Sequence, residues 1–277
     1  MLGLPLARSN TSREESAVSV LPTTVKSLCS SAGRSLLCAA TLLLAGASLA
    51  PAAMAGDTAE LQLLGFSRNG DFFAFEQFGV QDGSGFPYSE IFVVDVIGDT
   101  WVPPSPFRLR KDVDTGPGDA ADNALSETRA ENRLAAQPLL QDKAIAGKGQ
   151  TVGFNPRTEL TSDPHKMLVA PRVTFLSGDD PIDLTLSEYP LPNVQCQSYG
   201  AETKGFRLTM VHNGVTRILN EDNSVPESRR CPLAYRIERI VTHFPDEAPP
   251  VFAVLIQMDS LGFEGPDRRY LAITGRL

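Results

Sequence analysis

The sequence is short of the residues that most often carry chemistry. It has three histidines, four cysteines and one tryptophan in 277 residues. Four cysteines are too few for a disulfide-dense miniprotein. His165, His212 and His243 lie far apart and no H-E-x-x-H occurs, so no zinc site is expected. No G-x-S-x-G places Ser84, Ser177 or Ser260 on a nucleophile elbow. The run GKGQTVG at 147–153 lacks both the phosphate-loop Lys-Ser/Thr and the dinucleotide-fold spacing. It is expected to be a flexible loop. No cofactor and no metal is implied. Basic charge is also scarce, with 25 Lys and Arg against 33 Asp and Glu. That balance excludes sequence-independent binding to nucleic acid, which needs a basic face to neutralise phosphates. A hydrophobic content of 42% excludes a disordered chain. Glycine and proline recur with no fixed period, which excludes a collagen-like one.

What is present begins with an export signal. Residues 1–34 are polar and contain Arg8, Arg13, Lys26 and Arg34, and from Ser35 to Ala55 there is no charge. The centre of that stretch reads LLCAATLLLAGASLA and ends at Ala53-Met54-Ala55. A basic lead, an apolar run and an A-x-A site make a signal peptide. The small side chains of Ala53 and Ala55 suit the shallow pockets of a signal peptidase, so cleavage is expected before Gly56. The competing reading, a retained anchor, is weakened by the Ala, Gly and Ser content of the run and by Pro51. With cleavage, no membrane span is expected to remain.

Residues 1–55 hold four Lys or Arg and two Asp or Glu, so a chain starting at Gly56 carries a net charge of −10. It keeps two cysteines, Cys196 and Cys231. In an oxidising compartment they are expected to pair, and neither lies in a C-x-x-C redox motif. Residues 56–277 are expected to form one secreted β-rich domain.

Strand signals dominate that domain. ELQLLGFS, FFAFEQFG and EIFVVDV alternate with turns, and Ser67-Arg68-Asn69-Gly70 is expected to be a tight Asn-Gly hairpin. Ten of the chain's twenty aromatics fall between Phe66 and Phe107, which points to a sheet core. A linker and helix occupy 111–149. The helix is expected over about 119–146, with an apolar stripe of Ala121, Leu125, Ala135 and Leu139 and an interruption at Pro138. After Gly149 come HKMLVAPRVTFLSG, IDLTLSEYPL, GFRLTMVHNGVTRILNED, YRIERIVTHF, VFAVLIQMDSLGF and RRYLAITGRL, all strand-like. Asn213-Gly214 is the strongest hairpin signal. The fold class is therefore mainly β, all-β or α+β, with antiparallel hairpins and one helical insertion.

GFSRNGDFFAFEQ followed by SEIFVVDVIGDTWV resembles one blade of the TolB-like periplasmic propellers over residues 60–101, although Asn69 stands where that family favours Asp. No second copy follows, whereas a propeller needs at least four blades. The string GFSRNGDFFAFEQFGVQDGSGFPYSEIFVVDV, the Ala-rich helix and the late LxMxxNG hairpin together resemble the bacterial predicted-secreted-protein family DUF2259. The resemblance implies export and a single envelope domain, and it supplies no activity and no catalytic residues.

The segment singled out for recognition is the loop Gln81–Glu90. It gathers Asp82, Phe86, Tyr88 and Glu90, two carboxylates and an aromatic pair, between two strands, where binding residues concentrate. The competing reading is a structural loop, with its glycines at positive φ and Phe86 and Tyr88 covering a sheet edge. The spacing does not match a calcium loop. The expected function is that of a noncatalytic envelope module, periplasmic or secreted, which binds an envelope protein or a glycan. The alternative is a carboxylate-dependent hydrolase acting on cell-wall or carbohydrate material.

Overall fold

The computed structural model describes residues 56–113, 118–173 and 178–277. The export segment, with Ala53 and Ala55, lies outside the described residues. The chain opens with β1 (Glu60–Ser67), β2 (Phe72–Val80), β3 (Pro87–Asp95), β4 (Thr100–Trp101) and β5 (Phe107–Arg110). Helix α1 (Asp119–Asp142) follows, and β6 (Ile145–Lys148) returns to the same sheet. The order of this first sheet is β4-β3-β2-β1-β6, with β5 also paired to β3. The next strand, β7 (Gln150–Phe154), starts a second sheet. Strands β8 (Lys166–Val169), β9 (Ile182–Pro190), β10 (Lys204–His212) and β11 (Val215–Glu221) form a third, with the short helix α2 (Val194–Ser198) between β9 and β10. Finally β12 (Pro232–His243), β13 (Val251–Ser260) and β14 (Asp267–Arg276) complete the second sheet, in the order β14-β13-β12-β7. All strand pairs are antiparallel, and the fold is mainly β.

The second sheet is the middle layer. On β13, Phe252, Val254, Ile256 and Met258 pack with Leu184, Phe206, Leu208 and Met210 of the third sheet. The alternate residues Val251, Ala253 and Leu255 pack with Phe66, Phe73 and Phe75 of the first. A strand buried on both faces has no polar face to show, and this is why β13 reads as an almost unbroken apolar run. Gly149 carries the chain from β6 into the middle sheet at φ +110, where a Cβ would stand 2.8 Å from the Phe66 ring.

Several local expectations are corrected. At 67–70 only Gly70 takes a positive φ, +80, and its N–H donates to the Ser67 carbonyl at 3.1 Å. The Asn69 side chain instead accepts from the Ser67 hydroxyl at 2.8 Å. Asn213 and Gly214 do both take positive φ, +52 and +70, as a two-residue hairpin demands. Helix α1 runs through Pro138 and ends at Asp142. Pro138 and Leu134 both face solvent, so water can take the Leu134 carbonyl that proline cannot bond. The run 147–153 is not a loop, because most of it lies in β6 and β7.

The helix also docks by a different face. Ala135 is exposed, while Thr128, Asn132 and Ala136 are buried. Thr128 returns its hydroxyl to the Ala124 carbonyl at 2.7 Å. Asn132 donates to the Ser89 carbonyl at 2.9 Å and to the Phe107 carbonyl at 3.1 Å. Beside them, the Glu76 carboxylate, with 0% of its side chain exposed, takes Arg129 Nε at 3.0 Å and Arg133 Nε at 2.9 Å. The docking face is therefore largely polar, closed by charge-assisted hydrogen bonds to β2. Cys196 of α2 and Cys231 stand with their sulfurs 2.10 Å apart. The bridge ties the β9–β10 connection to the start of β12.

Candidate functional site

Strand β3 alternates its side chains, so Tyr88, Glu90, Phe92 and Val94 share the face turned toward the middle sheet. Beyond Tyr88 the first sheet parts from β14 and leaves a cleft of about 690 Å³. Its first wall is Phe92, Trp101 and Arg108, its floor is β14, and its far wall is the turn Pro226–Arg230. Trp101 is 44% exposed. Its ring meets Phe92 at 5.7 Å, and the Arg108 guanidinium lies 5.6 Å above it. Arg108 Nε also donates to Glu90 Oε1 at 3.0 Å. Glu90 Oε2 accepts from Gln77 Nε2 at 2.6 Å, and Gln77 Oε1 accepts from the Tyr270 N–H at 2.7 Å. On the opposite rim, Asp99 Oδ1 accepts from the Thr274 N–H and hydroxyl, both at 2.8 Å. Burial lifts the carboxyls of Asp99 and Asp267 above the usual aspartate range.

The cleft thus combines an aromatic wall with a floor of mixed character, Asp267, Arg269 and Tyr270 beside Leu271, Ala272 and Ile273. An aromatic platform and a stacked guanidinium suit a planar, apolar or peptide group, and the flanking carboxylates suit a cationic one.

The four residues singled out in the 81–90 loop separate in the structure. Glu90 lines the cleft. Asp82 borders a second hollow of about 150 Å³ with Asp57, Glu264 and Asp267, and its carboxylate accepts from the Gly83 N–H at 3.0 Å. Among the described residues, no group of three or more His, Cys, Asp or Glu is arranged to hold a metal ion. Phe86 is half-buried with the Arg110 guanidinium 5.7 Å from its ring. Tyr88 is buried and donates its hydroxyl to Asp57 Oδ1 at 2.9 Å. Burial pushes that hydroxyl far above the ordinary tyrosine range. Sequence reasoning missed Trp101, Arg108, Asp99 and Tyr270. The signal for Trp101 was its being the sole tryptophan, placed in a short strand after a Gly-Asp turn.

A family model described as "Predicted secreted protein (DUF2259)" matches residues 74–276. The chain belongs to this family. No curated protein and no solved structure matches it. In this DUF2259 member the matched span covers β3 to β14, and so takes in the first wall, the floor and the far wall of the cleft. Among the described residues no helix is long and apolar enough to cross a membrane.

Proposed function

We propose that this DUF2259 protein is a noncatalytic binding module of the bacterial envelope, and that its ligand, a segment of an envelope protein or a glycan, enters the cleft between β3 and β14. The observation that carries this reading is Trp101, half-exposed on the wall of a 690 Å³ cleft although the chain has no other tryptophan to spare. Large amphipathic aromatics open to solvent in a concave site are common in recognition surfaces. The single tryptophan also makes the test direct. Residues 56–277 are titrated with soluble peptidoglycan fragments and with fractionated envelope proteins, and Trp101 emission is followed. A saturable change, abolished in Arg108→Ala with little loss of melting temperature, is expected. Emission unmoved by every fraction would overturn the reading.

A second reading, carboxylate-dependent hydrolysis, draws support from Glu90, Asp99, Glu227 and Asp267 lining one cleft. Glu90 is engaged by Arg108 and Gln77, and Asp99 by Thr274, which leaves neither poised on open space. Release of reducing ends from cell-wall glycan, lost in Glu90→Gln, would favour it over binding alone.

A further inference from the structure

We infer that the occupant of the cleft is an extended, cationic polypeptide segment that adds to β14 as a further strand. This rests on the binding reading above and names its ligand. The argument starts from register. β14 pairs with β13 without a break from Asp267 to Arg276. Its other edge faces outward, and three amides mark the outward phase. Arg268 N donates to the Asp57 carbonyl at 2.7 Å, Tyr270 N to Gln77 Oε1 and Thr274 N to Asp99 Oδ1. Ala272 lies in the same phase between them. Among the described residues its N–H has no partner.

The two ends of this edge are already occupied. Ala59 N donates to the Arg268 carbonyl at 3.1 Å, so the chain's own Asp57–Ala59 lies along the edge as a short parallel bridge. At the far end Arg217 Nη1 donates to the Arg276 carbonyl at 2.7 Å. The edge thus takes extended backbone at one end and is left open in the middle. The open stretch from Tyr270 to Thr274 spans about 14 Å at ~3.4 Å per residue, room for three or four residues of a partner. An incoming strand would meet the Ala272 N–H and the outward carbonyls of Tyr270 and Ala272. Main-chain pairing supplies affinity in such strand addition, and the walls on either side select side chains.

Charge selects the sign. Eight charged side chains line the cleft, four of each sign. Arg229 and Arg269 are held by Asp222 and Asp57, which lie outside its lining, at 2.6 and 2.5 Å. Arg108 is held by Glu90, and Arg230 stands 4.0 Å from Asp267. Among the described residues, Asp99 and Glu227 are left with no cationic partner. The whole chain is acidic as well, at −8. A lysine or arginine beside the added backbone meets this excess.

The probe is acetyl-Lys-Val-Lys-amide titrated into residues 56–277, with Trp101 emission as the readout. Three companions are run: the peptide with Glu in place of Lys, and two N-methylated forms carrying the methyls on alternate amides in opposite phases. The Lys peptide is expected to bind saturably, and the Glu peptide at least tenfold more weakly. One N-methyl phase should lose at least tenfold while the other binds like the parent, because only one set of amides faces β14. Ala272→Pro should lose binding as well. Its missing N–H faces the open edge, where proline is tolerated. Equal loss, or no loss, in both N-methyl phases would overturn strand addition whether or not the variant folds. So would a silent Lys peptide. If peptidoglycan fragments then still move Trp101, strand addition alone falls; if they too are silent, the binding reading falls with it.

Discussion

Glu76→Ala tests how α1 is held. In the folded protein the Glu76 side chain is 0% exposed and closed between Arg129, 22% exposed, and Arg133, 40% exposed. Ser89 adds a hydroxyl at 3.0 Å. Removing one partner of a buried ion pair costs about 3–5 kcal/mol, because the other charge is left without compensation. Here both guanidiniums can regain some water, Arg129 keeps Gln62 Oε1 at 2.6 Å, and its guanidinium stays 3.3 Å from the Phe78 ring centroid. The low end applies, about 3 kcal/mol. For a domain of this size each kcal/mol moves the melting temperature by about 2–4 °C, so the expected drop is about 6–12 °C.

Arg133→Ala should cost less than Arg129→Ala, since Arg133 is the more exposed and Arg129 alone of the two also covers the Phe78 ring. Replacing all three residues by apolar ones of similar volume should be near neutral, as for other buried ion clusters. Urea unfolding followed by far-UV circular dichroism and by Trp101 emission separates the helix from the sheet. A loss under about 1 kcal/mol for Glu76→Ala, or no coupling in the Glu76/Arg129 double-mutant cycle, would refute the clamp. Ala136 and Thr128 packing would then hold the helix.

Replacing Cys196 and Cys231 together by serine should cost about 4 kcal/mol in the chain-entropy model for a 35-residue separation, read by thermal melts with and without reductant. Tyr88→Phe deletes the hydroxyl donated to Asp57 and should cost about 1.5–3 kcal/mol, the range for a bond to a charged group, measured by urea unfolding. Burial raises the Asp99 carboxyl above its unfolded value of 3.8, so the native state holds its proton more tightly than the unfolded one. Stability is then lost as pH rises from the unfolded value through the raised one. Asp99→Asn, which keeps an oxygen for Thr274, should be more stable than the parent at pH 7 and equal to it near pH 3. A gap independent of pH would sink that account.

What the sequence disclosed follows the range over which each feature is encoded. Asn213-Gly214 was legible because a two-residue turn is written in two residues. β13 was legible because burial on both faces forces a continuous apolar run, although nothing local says which sheets cover it. The docking face of α1 was not legible. A search for apolar periodicity passes over Thr128, which bonds back to its own helix, and over Asn132, Arg129 and Arg133, whose partners Ser89 and Glu76 lie 43 to 57 residues away. The cleft was half legible. Glu90 was singled out, but Asp82 and Phe86 go elsewhere, and Tyr88, on the same face of β3 as Glu90, is buried outside the cleft lining. Trp101 and Tyr270 join Glu90 only through packing of β4 and β14.

The position of the cleft follows from the layering. A middle sheet covered on both faces still ends in an edge strand, whose outward amides and carbonyls need partners of their own. An unprotected edge is a template for unwanted pairing. In this protein the protection consists of two side-chain carbonyl substitutes, Gln77 on Tyr270 and Asp99 on Thr274, set four residues apart. That spacing blocks a long partner strand from zipping along β14, yet it leaves one amide, Ala272, between the stops. The two residues that guard the edge against aggregation therefore also set the length of any segment it can accept, and the aromatic wall beside them gives such a segment something to pack on.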